Sequence, residues 1–129
     1  PQSASLAFGG NIIPVNTSTT STEEYDGSSW TSGGALNTSR FGLAGGGTQT
    51  AAIAMTGRNS PPNTIVTNTE LYDGTSWTNS TAIGTAKGQT AGGGTSTAGI
   101  VFGGSSPSVT NATEEFTGAA LGTKTVTTS

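Results

Sequence analysis

An all-β fold assembled from repeated antiparallel sheets is what this chain predicts, and three observations carry the expectation. About a third of its 129 residues are Ser or Thr, and Thr suits a pleated, half-exposed surface better than a helix. No stretch shows a helical apolar period. The string TEEYDGSSWT at 22–31 returns nearly unchanged as TELYDGTSWT at 69–78. A shift of 47 residues aligns 7–53 with 54–100 without a gap, with about half the positions identical, and a repeat near this length marks propeller blades or solenoid units.

One unit reads as four short strands. LAGGGTQT (43–50) is small and glycine-rich, as suits a strand squeezed against neighbouring backbones. AAIAMTG (51–57) is a continuous apolar run closed by glycine, the pattern of a buried strand. NTELYDG (68–74) alternates, placing Leu71 and Tyr72 on opposite faces, and its Asp-Gly is a hairpin-turn signal. TSWTNSTAI (75–83) carries Trp77 and Ile83 and is expected as the more exposed outer strand. Four antiparallel strands in this period suit a propeller blade. The units fall at about 1–42, 43–88 and 89–129, and Gln2 aligns with Gln49, so the first lacks its innermost strand. The third copy is recognisable in VFGG (101–104) and TEEF (113–116), then departs in TGAALGTKTVTTS, which has no tryptophan. The expectation is three blades in a single segment of a β-propeller. About three blades leave an uncovered face on each side, to be covered by further blades of a longer array or by other copies of the chain.

Composition excludes several function classes. The chain has 30% hydrophobic residues, 21 glycines, 9% charged residues and a net charge of −3. Four basic residues provide no footprint for nucleic acid, and no stretch has the length or basic flank of a membrane anchor or signal peptide. With no Cys and no His, there are no disulfides, no thiolate chemistry and no usual general base near neutral pH. No calcium-loop ladder of Asp and Asn is present, so neither metal nor cofactor is expected.

The positions repeated in register are Gly10 with Gly57, Tyr25 with Tyr72, Asp26 with Asp73 and Trp30 with Trp77, followed by a basic residue, Arg40 or Lys87, before the next unit. A double glycine after an apolar strand, then Tyr-Asp-Gly, then Trp, resembles the kelch repeat. The longer string TEEYDGSSWTSGGALNTSRFGLAGGGTQTAAIA is similar to glycine- and threonine-rich kelch-like arrays encoded by marine bacteriophages, particularly those infecting cyanobacteria. That resemblance implies a kelch-like propeller and a virion or appendage component, located on the virion or outside the cell. Its expected partners are other virion proteins and a host-surface glycan. Met55-Thr56 departs from the double-glycine motif, and the last unit lacks its Trp.

All seven acids, Glu23, Glu24, Asp26, Glu70, Asp73, Glu114 and Glu115, lie in the repeated segment. A glycosidase needs two carboxylates of unlike environment facing one cleft. Acids that recur with every unit are better explained by construction: Asp closes the hairpin, and the Glu nearby meets Arg40 or Lys87 across a blade junction. No enzyme is expected. Trp30 and Trp77 could stack on sugar rings, but recurrence at one position favours packing. The Gly triads lack the lysine and hydroxyl of a phosphate loop. Four glycosylation sequons, at Asn16, Asn37, Asn79 and Asn111, are about what the Ser and Thr content provides by chance. The non-repeated loops NIIPVNTSTTS (11–21) and RNSPPNTIVTN (58–68) are the better binding candidates. There Ile12, Ile13, Arg58 and Asn59 stand out. The expected role is a non-enzymatic structural module whose loops serve assembly or host-surface attachment, with a carbohydrate-binding propeller as the alternative.

Overall fold

The computed structural model describes residues 3–105, 108–118 and 123–126. Gln2, whose alignment with Gln49 set the phase of the first unit, lies outside the described residues, as do 119–122 and 127–129 of the closing string. The described residues contain no helix and fold into small antiparallel sheets.

The first sheet has three strands, β1 (Ser5–Phe8), β4 (Thr22–Tyr25) and β5 (Trp30–Ser32), in the order β1-β4-β5. Between β1 and β4 the chain makes a hairpin of β2 (Asn11–Ile12) with β3 (Thr17–Ser18). The second sheet has four strands, β6 (Ala44–Thr48), β7 (Ala51–Met55), β10 (Thr69–Tyr72) and β11 (Trp77–Ser80), in chain order from one edge to the other. It too holds a hairpin, of β8 (Arg58–Asn59) with β9 (Thr64–Ile65). The third sheet runs β12 (Ala91–Gly94), β13 (Gly99–Phe102), β14 (Thr113–Phe116) and β15 (Thr123–Val126). The two hairpins are structure where the sequence suggested only loops.

Side-chain alternation explains why the sheets stack. Successive residues of a strand point to opposite faces, so in β7 Ala52 and Ala54 face the first sheet while Ile53 and Met55 face the third. Leu36, Ala52, Ala54, Tyr72 and Trp77 form one core with Leu6, Phe8 and Leu43. Ala44, Ile53, Met55, Ile83, Val101 and Phe116 form the other, with Leu71 packed against it. Tyr72 and Leu71 therefore do lie on opposite faces. Trp77 departs from the exposed outer strand that TSWTNSTAI suggested: it is 4% exposed because its ring reaches back over the first sheet, while Thr78 and Asn79 on the same strand are exposed.

Glycine sets how closely neighbouring sheet edges approach. β6 and β12 run beside one another, and a Cβ on Gly46 would lie 2.7 Å from the Gly94 amide nitrogen. Only a residue without a side chain permits that approach. The triads at 45–47 and 92–94 thus lie within strands.

Candidate functional site

Each recurrent polar residue can be followed to its partner. The loop from Tyr25 to Trp30 is closed by the Asp26 carboxylate, whose Oδ1 accepts from the amides of Ser28 at 2.8 Å and Ser29 at 2.9 Å. Asp73 does the same for Thr75 and Ser76, at 2.8 Å each. The Ser29 and Ser28 amides hold the Asp26 carboxyl at about 2, and the Ser76 and Thr75 amides lower Asp73 in the same way. Such groups are ionised turn locks, with no proton to donate near neutral pH. Gly27 and Gly74 follow at φ of 102° and 94°, the left-handed backbone the turn requires.

The repeated glutamates meet the repeated cations. Arg40 Nη2 lies 2.9 Å from Glu70 Oε2, both side chains fully buried. Arg40 Nη1 donates to the carbonyls of Thr56 at 2.7 Å and Asn68 at 2.6 Å. Glu70 Oε1 accepts from the amides of Asn37 and Thr38, at 2.7 and 3.2 Å. Burial pulls the guanidinium down from its usual value, and Glu70 opposes that. Across the next junction Lys87 Nζ lies 3.1 Å from Glu114 Oε1, again fully buried. Glu114 also accepts from the amides of Gly84 and Thr85. Charges taken this far from water persist only when paired and hydrogen-bonded.

Three further links fasten the first sheet to the second. Trp77 Nε1 donates to Thr22 Oγ1 at 2.9 Å, and its ring sits 4.9 Å from both Phe8 and Tyr72. The Tyr72 hydroxyl donates to Glu24 Oε1, and burial together with that carboxylate raises the phenol above the usual tyrosine range. Gln49 Nε2 reaches the carbonyls of Ser5 and Tyr25. None of these was visible in the sequence, since the hydrogen-bonded partners lie 24 to 55 residues apart.

The repeat positions are not equivalent in surroundings. Trp30, expected to pack, is 51% exposed, with the Tyr25 ring 5.1 Å away as its aromatic neighbour. Trp77 is covered by the preceding sheet, and no described residue plays that part for Trp30. Glu23, the counterpart of Glu70 and Glu114, is likewise exposed. At the other side Ile100 and Phe102 are 38% and 44% exposed. Among the described residues, the first and third sheets thus each present an open face.

Among the loop candidates, Ile12 and Ile13 project at the tip of the β2–β3 hairpin, 51% and 82% exposed. Arg58 and Asn59 form β8 and are half-buried. Arg58 exchanges both backbone hydrogen bonds with Phe41 at 2.9 Å, and its Nη1 contacts Asn63 Oδ1 at 3.3 Å. The hairpins adjoin: Ser18 N donates to Ser60 O at 2.8 Å, and Ser60 N donates to Ser18 Oγ at 3.0 Å. The structure therefore brings all four residues onto one rim. Gly10 and Gly57 lead into these hairpins at φ of 129° and 111°. Thr56 holds a left-handed φ of 60° where the first unit has Gly9, and its hydroxyl pairs with that of Thr90 at 2.9 Å.

A cavity of about 330 Å³ opens between β1 and β6, lined by Leu6, Phe8, Gly45 to Gly47 and Ala52 among others. It flanks the edge of β1 on which no described strand pairs, so its chemistry is that of a sheet edge. Among the described residues no three acids, histidines or cysteines converge as a metal site, and no helix long and apolar enough to cross a membrane is present among them.

No protein-family model matches the chain, and no curated protein does. Over 98% of its length the chain is similar to the solved structure of YjhT, with a TM-score of 0.79 at 12% identity. It spans 43% of the length of that chain. At this identity the likeness concerns the fold alone.

Proposed function

We propose that the chain is a three-blade segment of a kelch-like β-propeller serving as a non-enzymatic structural module, with the hairpin rim used for assembly or host-surface attachment. The observation that carries the reading is how the recurrent polar groups are used. Asp26 and Asp73 lock turns, Glu70 and Glu114 neutralise buried cations, and Glu24 accepts from Tyr72. The recurrent chemistry serves construction, and the exposed hairpin tips are among the segments that differ between units. Side-by-side sheets with their glycine strands innermost support the propeller reading, as does the fold likeness to a longer chain. Placement on a virion appendage rests on the likeness of the repeat to marine phage arrays. A rigid scaffold with exposed loop tips suits many weak contacts repeated around a particle.

The test is binding of labelled chain to intact cyanobacterial cells and to purified virion proteins. Ile12→Ser/Ile13→Ser should abolish capture while leaving the circular dichroism spectrum unchanged. No capture by either target, or capture indifferent to that change, refutes the reading. A second reading is favoured by one observation: the half-exposed Trp30 beside Tyr25 is a platform on which a sugar ring could stack. Binding on a glycan array that is competed by free sugar and lost in Trp30→Ala would establish carbohydrate recognition instead.

A further inference from the structure

We infer that the chain associates head to tail with a second copy, the open face of its third sheet seating on the open face of the first sheet of the next. The internal junctions show the rule. Leu6 and Phe8 of β1 pack on the face formed by Ala52, Ala54, Tyr72 and Trp77. Their equivalents one unit on, Ile53 and Met55, pack on the face that holds Val101 and Phe116. The equivalents one further unit on are Ile100 and Phe102, which point into water. The face built to receive such a pair exists on the first sheet, where Ala7, Tyr25 and Trp30 stand at the positions of Ala54, Tyr72 and Trp77.

Polar matching makes the fit specific to this chain. Where the receiving residue is Tyr72, the donor sheet presents Glu24, and the two are hydrogen-bonded. Where it is Phe116, the donor sheet presents Leu71, packed against the same apolar cluster. The two open faces carry the remaining members of this set: Glu115 on the third sheet, at the position of Glu24 and Leu71, and Tyr25 on the first. Glu115 and Tyr25 thus stand at the positions that let Glu24 and Tyr72 pair. Thr113 likewise stands where Thr22 accepts from Trp77, ready for the Trp30 indole of the next copy. At the second junction Thr123 occupies the register position of the tryptophan, and the buried Thr69 hydroxyl has no hydrogen-bond partner among the described residues. One position is mismatched. Glu23 would enter the junction where Glu70 meets Arg40, and no described cation is placed to meet it.

Such an interface joins two different surfaces, so it closes a ring when the rotation permits and otherwise extends. Two copies would bring six sheets, and a closed pair is the expected product. The inference rests on reading the sheets as successive blades and is independent of attachment. A chain that binds cells yet stays single overturns this inference alone, and a chain that pairs yet binds no surface overturns the attachment reading alone.

Light scattering coupled to size exclusion, on the 129-residue chain up to about 100 µM, where a micromolar contact is saturated, should give twice 12.6 kDa. Phe102→Asp, at an already exposed site, should yield single copies with unchanged circular dichroism. Glu115→Leu should weaken pairing by roughly tenfold or more, because the Tyr25 hydroxyl is then buried without an acceptor. Tyr25→Phe/Glu115→Leu recreates the Phe116–Leu71 combination and should restore pairing to within about threefold of the native chain. Glu23→Gln, which removes the uncompensated carboxylate, should tighten it. A mass of one copy for the native chain at about 100 µM, or pairing that Phe102→Asp leaves intact, overturns the proposal.

Discussion

Trp30 and Trp77 occupy the same position of the repeat, yet truncating them should have very different consequences. Trp77 is 4% exposed, with aromatic rings 4.9 Å away on two sides and its indole N–H on Thr22 Oγ1. Trp→Ala in a packed core costs about 3–5 kcal/mol, the cavity included. Within that figure, the Thr22 hydroxyl left without its donor accounts for about 1 kcal/mol. Trp30 is 51% exposed with one aromatic neighbour, so its truncation removes only partial burial, about 1 kcal/mol. Both variants belong in the Phe102→Asp background, where Trp30 stays in water. Urea titration followed by circular dichroism should give a midpoint shift about four times larger for Trp77→Ala at an unchanged slope. In thermal melts the loss should be on the order of 10–15 °C against a few degrees. Equal shifts for the two variants would refute the reasoning, because they would show that neither indole is covered by a neighbouring sheet.

Glu70→Gln should cost about 3–5 kcal/mol by stranding the buried Arg40 guanidinium, whereas Arg40→Met/Glu70→Leu should recover much of that loss in the same titration. Gly46→Ala drives a Cβ to 2.7 Å from the Gly94 nitrogen and should destabilise by about 1–3 kcal/mol, while Gly93→Ala, with nothing within 4 Å, should be close to neutral. The folded Asp26 carboxyl sits at about 2, below the ordinary aspartate value of 3.8. A depressed folded value means that its contribution is present above the unfolded value and lost as pH falls through about 2. Carboxyl-carbon NMR should report that midpoint, and Asp26→Asn should flatten the stability profile between about pH 4 and pH 2.

Much of the fold was legible because it is written twice. The repeated Tyr-Asp-Gly and Trp, the apolar run of β7 and the alternation of β10 located the second sheet almost strand by strand. The recurrence of Glu with Arg40 and Lys87 pointed to ion pairs at the junctions. Environment was what repetition could not convey. Identical letters at Trp30 and Trp77 meet different surroundings because burial depends on the neighbouring sheet rather than on the strand itself. The Tyr72–Glu24 and Trp77–Thr22 bonds join residues about one unit apart, and no local pattern encodes them. The two hairpins escaped notice for a different reason: each strand is two residues long, too short for alternation to register. Of the candidate site, the loop positions could be named, but their convergence on one rim depends on the Ser18–Ser60 contact, which is purely tertiary.

The indole protons of the two tryptophans test the central claim, that each sheet is held by burying its face on the next, most directly. In the Phe102→Asp chain, the Trp77 indole N–H should be protected from exchange and show nuclear Overhauser contacts to Phe8 and Thr22 of the preceding sheet, while that of Trp30 exchanges rapidly. Indoles that exchange alike, or a Trp77 proton whose contacts stay within its own sheet, would contradict it.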